Sequence, residues 1–392
     1  MAVVELNPFD HTFQSNPYPT YEWLREAAPV YHNERLDFWA LSRFDDVLHA
    51  LHDTETYTST KGVALEDDGQ GASKSMIHMD PPDHTQMRKI IARRFTPKRI
   101  AELEPTVRAW AVELSGRLEG RAQFDVVHDY SALLPATVIS VMLGLPESEH
   151  EHVRLWTDDL LTRPEDRIEQ GLPADEATQK LAVLSATYAA QRRAAPTDDI
   201  LSLLVTMEVA GEPLTDAEVI GMCLLLISGG HETTSKLIAN GVRLFGRHPD
   251  QRRAVIEDPE LMVQAIEELL RYTSPTQYMT RTTTRAVEVR GTTIPAGAKV
   301  ALLMGSGNRD PREFERPDEF DIFRPNPRIL AFGHGAHVCL GAAVARLEGR
   351  IALQEFLARF PEYEVDEAGI TYMHSGNVQG PTRMPITIDP IK

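Results

Sequence analysis

The sequence predicts a mainly α-helical protein with small β-sheets, an α+β chain in which helix dominates, and three observations point that way. Apolar residues recur at three-to-four spacing over most of the 392 residues. Alternating strand patterns are few and short. No Gly/Ser tract, proline-rich spacer or internal repeat divides the chain. One large α-rich domain over residues 1–392 is therefore expected, although length alone would suggest two or three.

Helical patterns run from Tyr18 to Ala28, Phe44 to Leu51, Asp83 to Phe95, Lys98 to Leu118 and Ser131 to Leu143. A second group covers Glu147 to Leu161, Asp175 to Ala194 and Asp198 to Glu208. The longest pattern starts at Thr215, where Thr215-x-x-Glu218 reads as a capping box, and runs to about Gly246 before His248-Pro249 stops it. Roughly thirty helical residues span about 45 Å, enough to cross a domain. Further helices are expected from Asp250 to Glu257, Pro259 to Tyr272 and Gly341 to Phe360. Strands are expected at Phe38 to Ser42 and Val287 to Arg290. Thr293 to Met304, broken by Pro295-Ala296-Gly297, reads as a hairpin arm, and Ile370 to Ile388 is strand-like.

Composition excludes several classes of function. Only Cys223 and Cys339 occur, so a disulfide scaffold is not expected and a reducing cytoplasm fits. No zinc-type spacing and no Cys-x-x-Cys-His is present. The polar N-terminus lacks the pattern of a signal peptide, and the apolar run at Met222 is far shorter than the roughly 20 residues a bilayer requires. A net charge of −18 argues against nucleic acid as a partner. Against that acidic background, Arg88, Lys89, Arg93, Arg94, Lys98 and Arg99 crowd one segment. They read either as a solvated helix face or as a docking patch for an acidic partner.

The residues that carry chemistry centre on Phe332-Gly333-His334-Gly335-Ala336-His337-Val338-Cys339-Leu340-Gly341. Glycines let backbone approach something bulky, and a thiol at a helix entrance is biased toward thiolate by the free N–H donors there. Such a thiolate beside a flat glycine-lined surface suits an axial haem ligand. In the longest helix, Gly229-Gly230-His231-Glu232-Thr233-Thr234 puts paired glycines, each costing about 1 kcal/mol relative to alanine, next to an acid and a hydroxyl. That combination would let a flat group or a diatomic gas lie against the helix beside a proton route, or it is a kinked helix with a threonine bonded back to a carbonyl. His84 and Arg88, four apart after Asp80-Pro81-Pro82, point the same way from one helix. Glu268 and Arg271, three apart, can pair, for only a few tenths of a kcal/mol if exposed.

Taken together these segments resemble the cytochrome P450 family, whose haem loop looks like Phe-Gly-x-Gly-x-His-x-Cys-x-Gly and is matched here at every fixed position. The resemblance extends over nearly the whole chain and implies the P450 fold, non-covalent haem b and Cys339 as the axial ligand. It implies that His84, Arg88, Arg281 and His337 hold the haem propionates, and that Phe332, Gly341 and Gly230 border the cofactor. It also implies that Thr233 stabilises the oxygen species formed at the iron while Glu232 relays protons toward it. Arg324 would complete a structural network with Glu268 and Arg271. Where bacterial members often carry histidine this chain has Ile329, and Pro327 and Arg328 replace the usual polar approach to the loop.

The activity so implied is insertion of one oxygen atom from O2 into a small-to-medium apolar substrate. The electrons would come from a separate ferredoxin with an NAD(P)H-linked reductase, docking at the basic segment. A peroxide-driven peroxygenase and a non-catalytic haem-thiolate sensor are the other readings; the acid–threonine pair weighs against both. By the same resemblance Leu65, Met76, Leu226, Tyr278, Met279 and Val378 line an apolar cavity, with Glu66, Asp67 and Asp68 at its rim.

Overall fold

The computed structural model describes residues 5–67, 75–161, 172–325 and 328–388. Asp68 and Pro327 lie outside the described residues. The helix-rich architecture with small sheets is as expected, and it is organised around one helix, Asp216–Arg247. The capping box at its start forms in full: Glu218 N–H donates to Thr215 Oγ1 at 3.3 Å, and Thr215 N–H donates to the Glu218 carboxylate at 2.8 Å. Satisfying two otherwise orphaned donors fixes where the helix begins. Helices Leu133–Leu143, His150–Leu161, Leu172–Ala194, Leu261–Thr273 and Ala342–Arg359 pack around it.

Two apolar clusters grip the two ends of this helix. Val219, Met222, Cys223, Leu226 and Ile227 belong to one, with Met87, Ile91, Ile139, Leu181 and Leu201. Leu237, Ile238, Val242 and Phe245 belong to the other, with Leu114, Tyr130, Leu269 and Phe356. Residues 228–236 fall in neither, so the middle of the longest helix is a polar gap between two cores. Because each apolar end is buried at roughly 25 cal/mol per Å², the ends hold the gap in place without help from its own side chains.

A five-stranded sheet runs in the order Val30–Asn33, Phe38–Leu41, Lys299–Leu302, Met279–Thr283, Tyr57–Thr58. Its third and second strands pair in parallel, Val300 opposite Trp39, which needs the long crossover that most of the helices supply. A three-stranded sheet joins Tyr363–Val365, Pro385–Ile388 and Gln123–Asp125.

Two expectations are corrected. Thr292–Ile294 and Lys299–Leu302 do not form one hairpin arm: the first pairs with Val287–Val289, the second with Met279–Thr283 and Phe38–Leu41. The helix expected to reach Glu208 stops at Thr206, because Glu208–Val209 turns back through Gly211 to pair with Glu212–Pro213. No helix among the described residues is long and apolar enough to cross a membrane.

Candidate active site

The loop ahead of helix Ala342–Arg359 is built by its own backbone. Gly333 N–H donates to Leu330 O at 2.8 Å, and Cys339 N–H donates to Phe332 O at 2.8 Å, closing a narrow arch over a short 3-10 turn, Gly335–His337. Gly335 has φ +69°, and a Cβ there would lie 2.5 Å from the Leu51 carbonyl oxygen, so only glycine fits. Phe332 is covered on one face by the Arg346 guanidinium, 4.5 Å from the ring centroid, itself bonded to Glu267 at 2.5 and 2.9 Å. Cys339 is exposed although protein surrounds it, which marks a sulfur facing an open cleft. Its pKa is raised by desolvation and pulled back by the Gly341 N–H, Arg88 and Arg346. An iron cation at the sulfur would remove the cost of ionisation.

Opposite the clusters, Gly229 is exposed in mid-helix and a Cβ on it would meet nothing within 4 Å; the same holds at Gly341. Gly230 differs from expectation. A Cβ there would come within 3.2 Å of Ile139, so Gly230 gives room to helix Leu133–Leu143, and Gly229 is the glycine that opens onto space. Successive helical positions are turned by about 100°, so one of a glycine pair faces the neighbour helix and the other does not. Thr233 Oγ1 donates to the Gly229 carbonyl at 3.0 Å, the back-bonded arrangement that loosens a helix locally.

Glu232 is turned away from that opening and buried, with Lys236 Nζ 2.8 Å from its Oε2. Asp158, from helix His150–Leu161, hydrogen-bonds the same carboxylate. Desolvation opposes charge on Glu232, but Lys236 and the neighbours outweigh it and hold its pKa down. Sequence reasoning missed Asp158; Lys236 at i+4 from Glu232 was visible as a possible pair.

His84, His337, Arg281 and Arg88 come together from three separate segments. The rings of His84 and His337 lie 4.1 Å apart, and neither nitrogen of buried His84 has a hydrogen-bond partner. Desolvation, Arg281 and His84 push His337 down to about 3. Arg281 is buried; its Nη1 donates to the carbonyl of its own chain neighbour, Thr280 O, at 2.7 Å, and desolvation lowers its pKa to about 10. Arg88 donates to Val338 O at 2.6 Å, beside the cysteine. The nearby acid is Asp80, and the unbonded nitrogens of His84 with the buried Arg281 cation leave room for a further acidic ligand. The donor set fits a group with two carboxylates, and the open glycines and free thiol fit a flat iron-bearing one, so the residues present suit haem.

The network expected of Glu268, Arg271 and Arg324 is present and fully buried. Arg271 donates to both Glu268 oxygens at 2.7 and 2.8 Å, and Arg324 Nε donates at 3.2 Å. It is therefore a buried triad and not the weak exposed pair that its spacing alone describes.

The basic segment is less free than expected. Arg94 and Arg99 both bind Asp198, Arg99 also reaches Glu102 at 3.2 Å, and Arg88 is used by the loop. Lys89, Arg93 and Lys98 remain exposed. Of the expected cavity residues, Leu65 and Tyr278 pack with Leu6, Phe9 and Tyr21, whereas Met76 and Leu226 join the cluster at the N-terminal end of the central helix. Asp67 caps its own turn, accepting from Val63 N at 2.7 Å and Ala64 N at 3.0 Å.

The family model described as Cytochrome P450 matches residues 174–370. The chain is 38% identical over 98% of its length to "Putative cytochrome P450 123" of Mycobacterium tuberculosis, covering 96% of that protein. It is 37% identical over 97% of its length to the "Vitamin D(3) 25-hydroxylase" of Pseudonocardia autotrophica, covering 96% of it. Among solved structures, the cytochrome P450 CYP109B1 from Bacillus subtilis superposes with a TM-score of 0.85 at 36% identity, over 96% of this chain and 100% of that one.

Proposed function

Because this chain belongs to the cytochrome P450 family, and is thus a haem-thiolate monooxygenase, we propose that Cys339 would bind the haem iron through its sulfur and that the open faces of Gly229 and Gly341 would border the haem. When bound, haem supplies the reductive activation of dioxygen that puts one oxygen atom into the substrate. The residues of the chain do the rest. His84, His337 and Arg281, with Arg88 at their edge, offer N–H donors to the two carboxylates and exchange an uncompensated burial cost for charge-assisted bonds. Phe332, braced by Arg346, would border the haem. The N–H of Gly341 and the cations of Arg88 and Arg346 stabilise negative charge on it. Thr233 keeps a hydroxyl at the cleft on its bond to Gly229 O, and Glu232 supplies protons toward it. The observation that carries this reading is the convergence of buried His84 and Arg281 with half-buried His337 beside the loop that bears Cys339, with neither nitrogen of His84 bonded.

The substrate we propose is a small-to-medium apolar molecule. An apolar named substrate in the Pseudonocardia relative supports it. Residues 1–392 act as one domain in the cytoplasm, taking electrons from a ferredoxin and its NAD(P)H-linked reductase. Docking falls to Lys89 and Arg93, since Arg94 and Arg99 are held by Asp198 and Lys98 lies 3.9 Å from Glu102. Reversing Lys89 and Arg93 to glutamate is expected to slow ferredoxin-driven reduction and flatten its salt dependence; no change in either rejects that surface. The site itself is tested by the carbon monoxide difference spectrum of the dithionite-reduced protein. A band near about 450 nm, lost in Cys339→Ser, is expected. A band near about 420 nm in fresh wild-type protein counts against thiolate ligation.

A further inference from the structure

The polar gap of the central helix faces a second cluster that the haem site does not use. The ligating atoms of Asp158, His231 and Glu232 lie within 4.8 Å of one another. That spacing would suit a metal ion, but the cluster already carries its own cations: Lys236 Nζ is 2.8 Å from Glu232 and an Arg154 nitrogen 3.0 Å from Asp158. His231 is fully buried, its Nε2 lies 3.0 Å from the Ala132 carbonyl, and its Nδ1 has no hydrogen-bond partner. Burial holds this imidazole neutral, at about 4, so Nε2 carries the proton and Nδ1 is a bare acceptor 3.9 Å from Asp158. Charged and titratable groups around the Asp158 carboxyl include Arg154 on its own helix, and Glu232, His231 and Lys236 on the central helix.

The exposure gradient is one-way. The Asp158 side chain is 35% exposed, that of Glu232 4%, and that of His231 0%. Arg154, which binds Asp158, also lines a polar recess of about 230 Å³ with Glu151, His128 and Asp129, so one side chain separates Asp158 from that recess. Two carboxylates this close cannot both be charged cheaply, and Lys236 decides which one is. Glu232, paired with the ammonium, keeps the negative charge, while burial and Glu232 itself raise Asp158 to about 8.

We propose that Asp158 holds the proton that Glu232 passes toward Thr233, making it a positioning residue for proton delivery and the solvent-side end of the relay. The step balances: the O–H bond of Asp158 breaks, an O–H bond forms on Glu232, and the charge left on Asp158 is met by Arg154. Water in the recess then reprotonates Asp158. This rests on the reading of Glu232 and Thr233 as the proton-delivery pair.

The test uses ferric holoprotein and NADPH-driven oxygen uptake with a surrogate ferredoxin and reductase, comparing Asp158→Asn, Asp158→Glu and Glu232→Gln. Two results are expected together. A protonated-carboxyl stretch that titrates near pH 8 in the infrared spectrum of the ferric protein disappears in Asp158→Asn. Oxygen uptake falls about 10- to 100-fold in both Asp158→Asn and Glu232→Gln, with a larger solvent deuterium isotope effect, and Asp158→Glu restores most of it. Absence of the titrating band overturns the proposal. So does slowing in Glu232→Gln without slowing in Asp158→Asn, which leaves the role of Glu232 intact. No slowing in either variant rejects the delivery pair itself, and this proposal with it.

Discussion

Removing the carboxylate of Glu268 exposes the cost of burying charge in this fold. Four hydrogen bonds end on that carboxylate: two from Arg271, one from Arg324 Nε and one from the Asp321 N–H. Arg271 is wholly buried and Arg324 nearly so. In Glu268→Ala, Arg271 keeps the bonds of Nη1 and Nη2 to the carbonyls of Asn308, Pro317 and Glu319, but its Nε–H loses its acceptor and its charge loses its partner. Breaking a buried pair from one side costs about 3–5 kcal/mol. For a chain of 392 residues the unfolding entropy is about 0.8 kcal/mol per kelvin. The thermal midpoint of the holoprotein is then expected to fall by about 4–6 °C. Glu268→Gln, which keeps the shape but turns an amide N–H₂ toward a guanidinium, should lose a comparable amount. The assay is a melt followed at the Soret band and by circular dichroism, repeated at several scan rates because large cofactor proteins unfold irreversibly. A fall below about 1 °C in both variants would refute the argument that this triad bears the scaffold.

Three further outcomes are expected. In Thr233→Ala, oxygen uptake should continue while product falls and hydrogen peroxide rises; fully coupled turnover would remove Thr233 from the reaction. In Arg281→Leu, the apoprotein should melt higher, because a buried cation is gone, while haem transfer to apomyoglobin speeds up about 10- to 100-fold, the worth of one charge-assisted bond; slower transfer would contradict the role given to Arg281. On acidification, His231 should destabilise the fold. Its folded value, about 4, lies below the ordinary 6.5, so its contribution is present above pH 6.5 and is lost as pH falls toward 4. That loss is at most about 3 kcal/mol, and His231→Gln should flatten the acid limb of the melting profile by that much.

The features legible in the sequence are those in which neighbours along the chain are also neighbours in space. The cysteine loop, the Thr215 capping box and the three-to-four periodicity of the long helices are local, and the structure has them close to where the pattern put them. Strand pairing is not local. Lys299–Leu302 reads as half of a hairpin because Pro295-Ala296-Gly297 is a good turn, yet its parallel partner, Phe38–Leu41, lies about 260 residues earlier. Strands of two to four residues, such as Tyr57–Thr58, are too short to show alternation at all. The same limit applies within the site. Two adjacent glycines announce that a helix is approached closely, but tertiary packing alone decides that Gly230 meets Ile139 and Gly229 meets open space. Asp158 shows locally only its i,i+4 pair with Arg154, whereas its contact with Glu232 comes from another helix, and Arg94 looks like a free surface cation until Asp198 is brought to it.

The donors that await the haem carboxylates also set the order of assembly. His84, Arg281 and His337 reach one place from a helix, a sheet strand and a loop far apart in the chain. Without an acid between them, the buried Arg281 cation and the unpartnered nitrogens of His84 leave the place where these three segments meet poorly satisfied. Biosynthesis of the active protein is then a closing step driven by the cofactor, with the segments around residues 75–91 and 330–341 as the last to lock. Limited proteolysis should cut the apoprotein there first, and loading with haem should protect both stretches together.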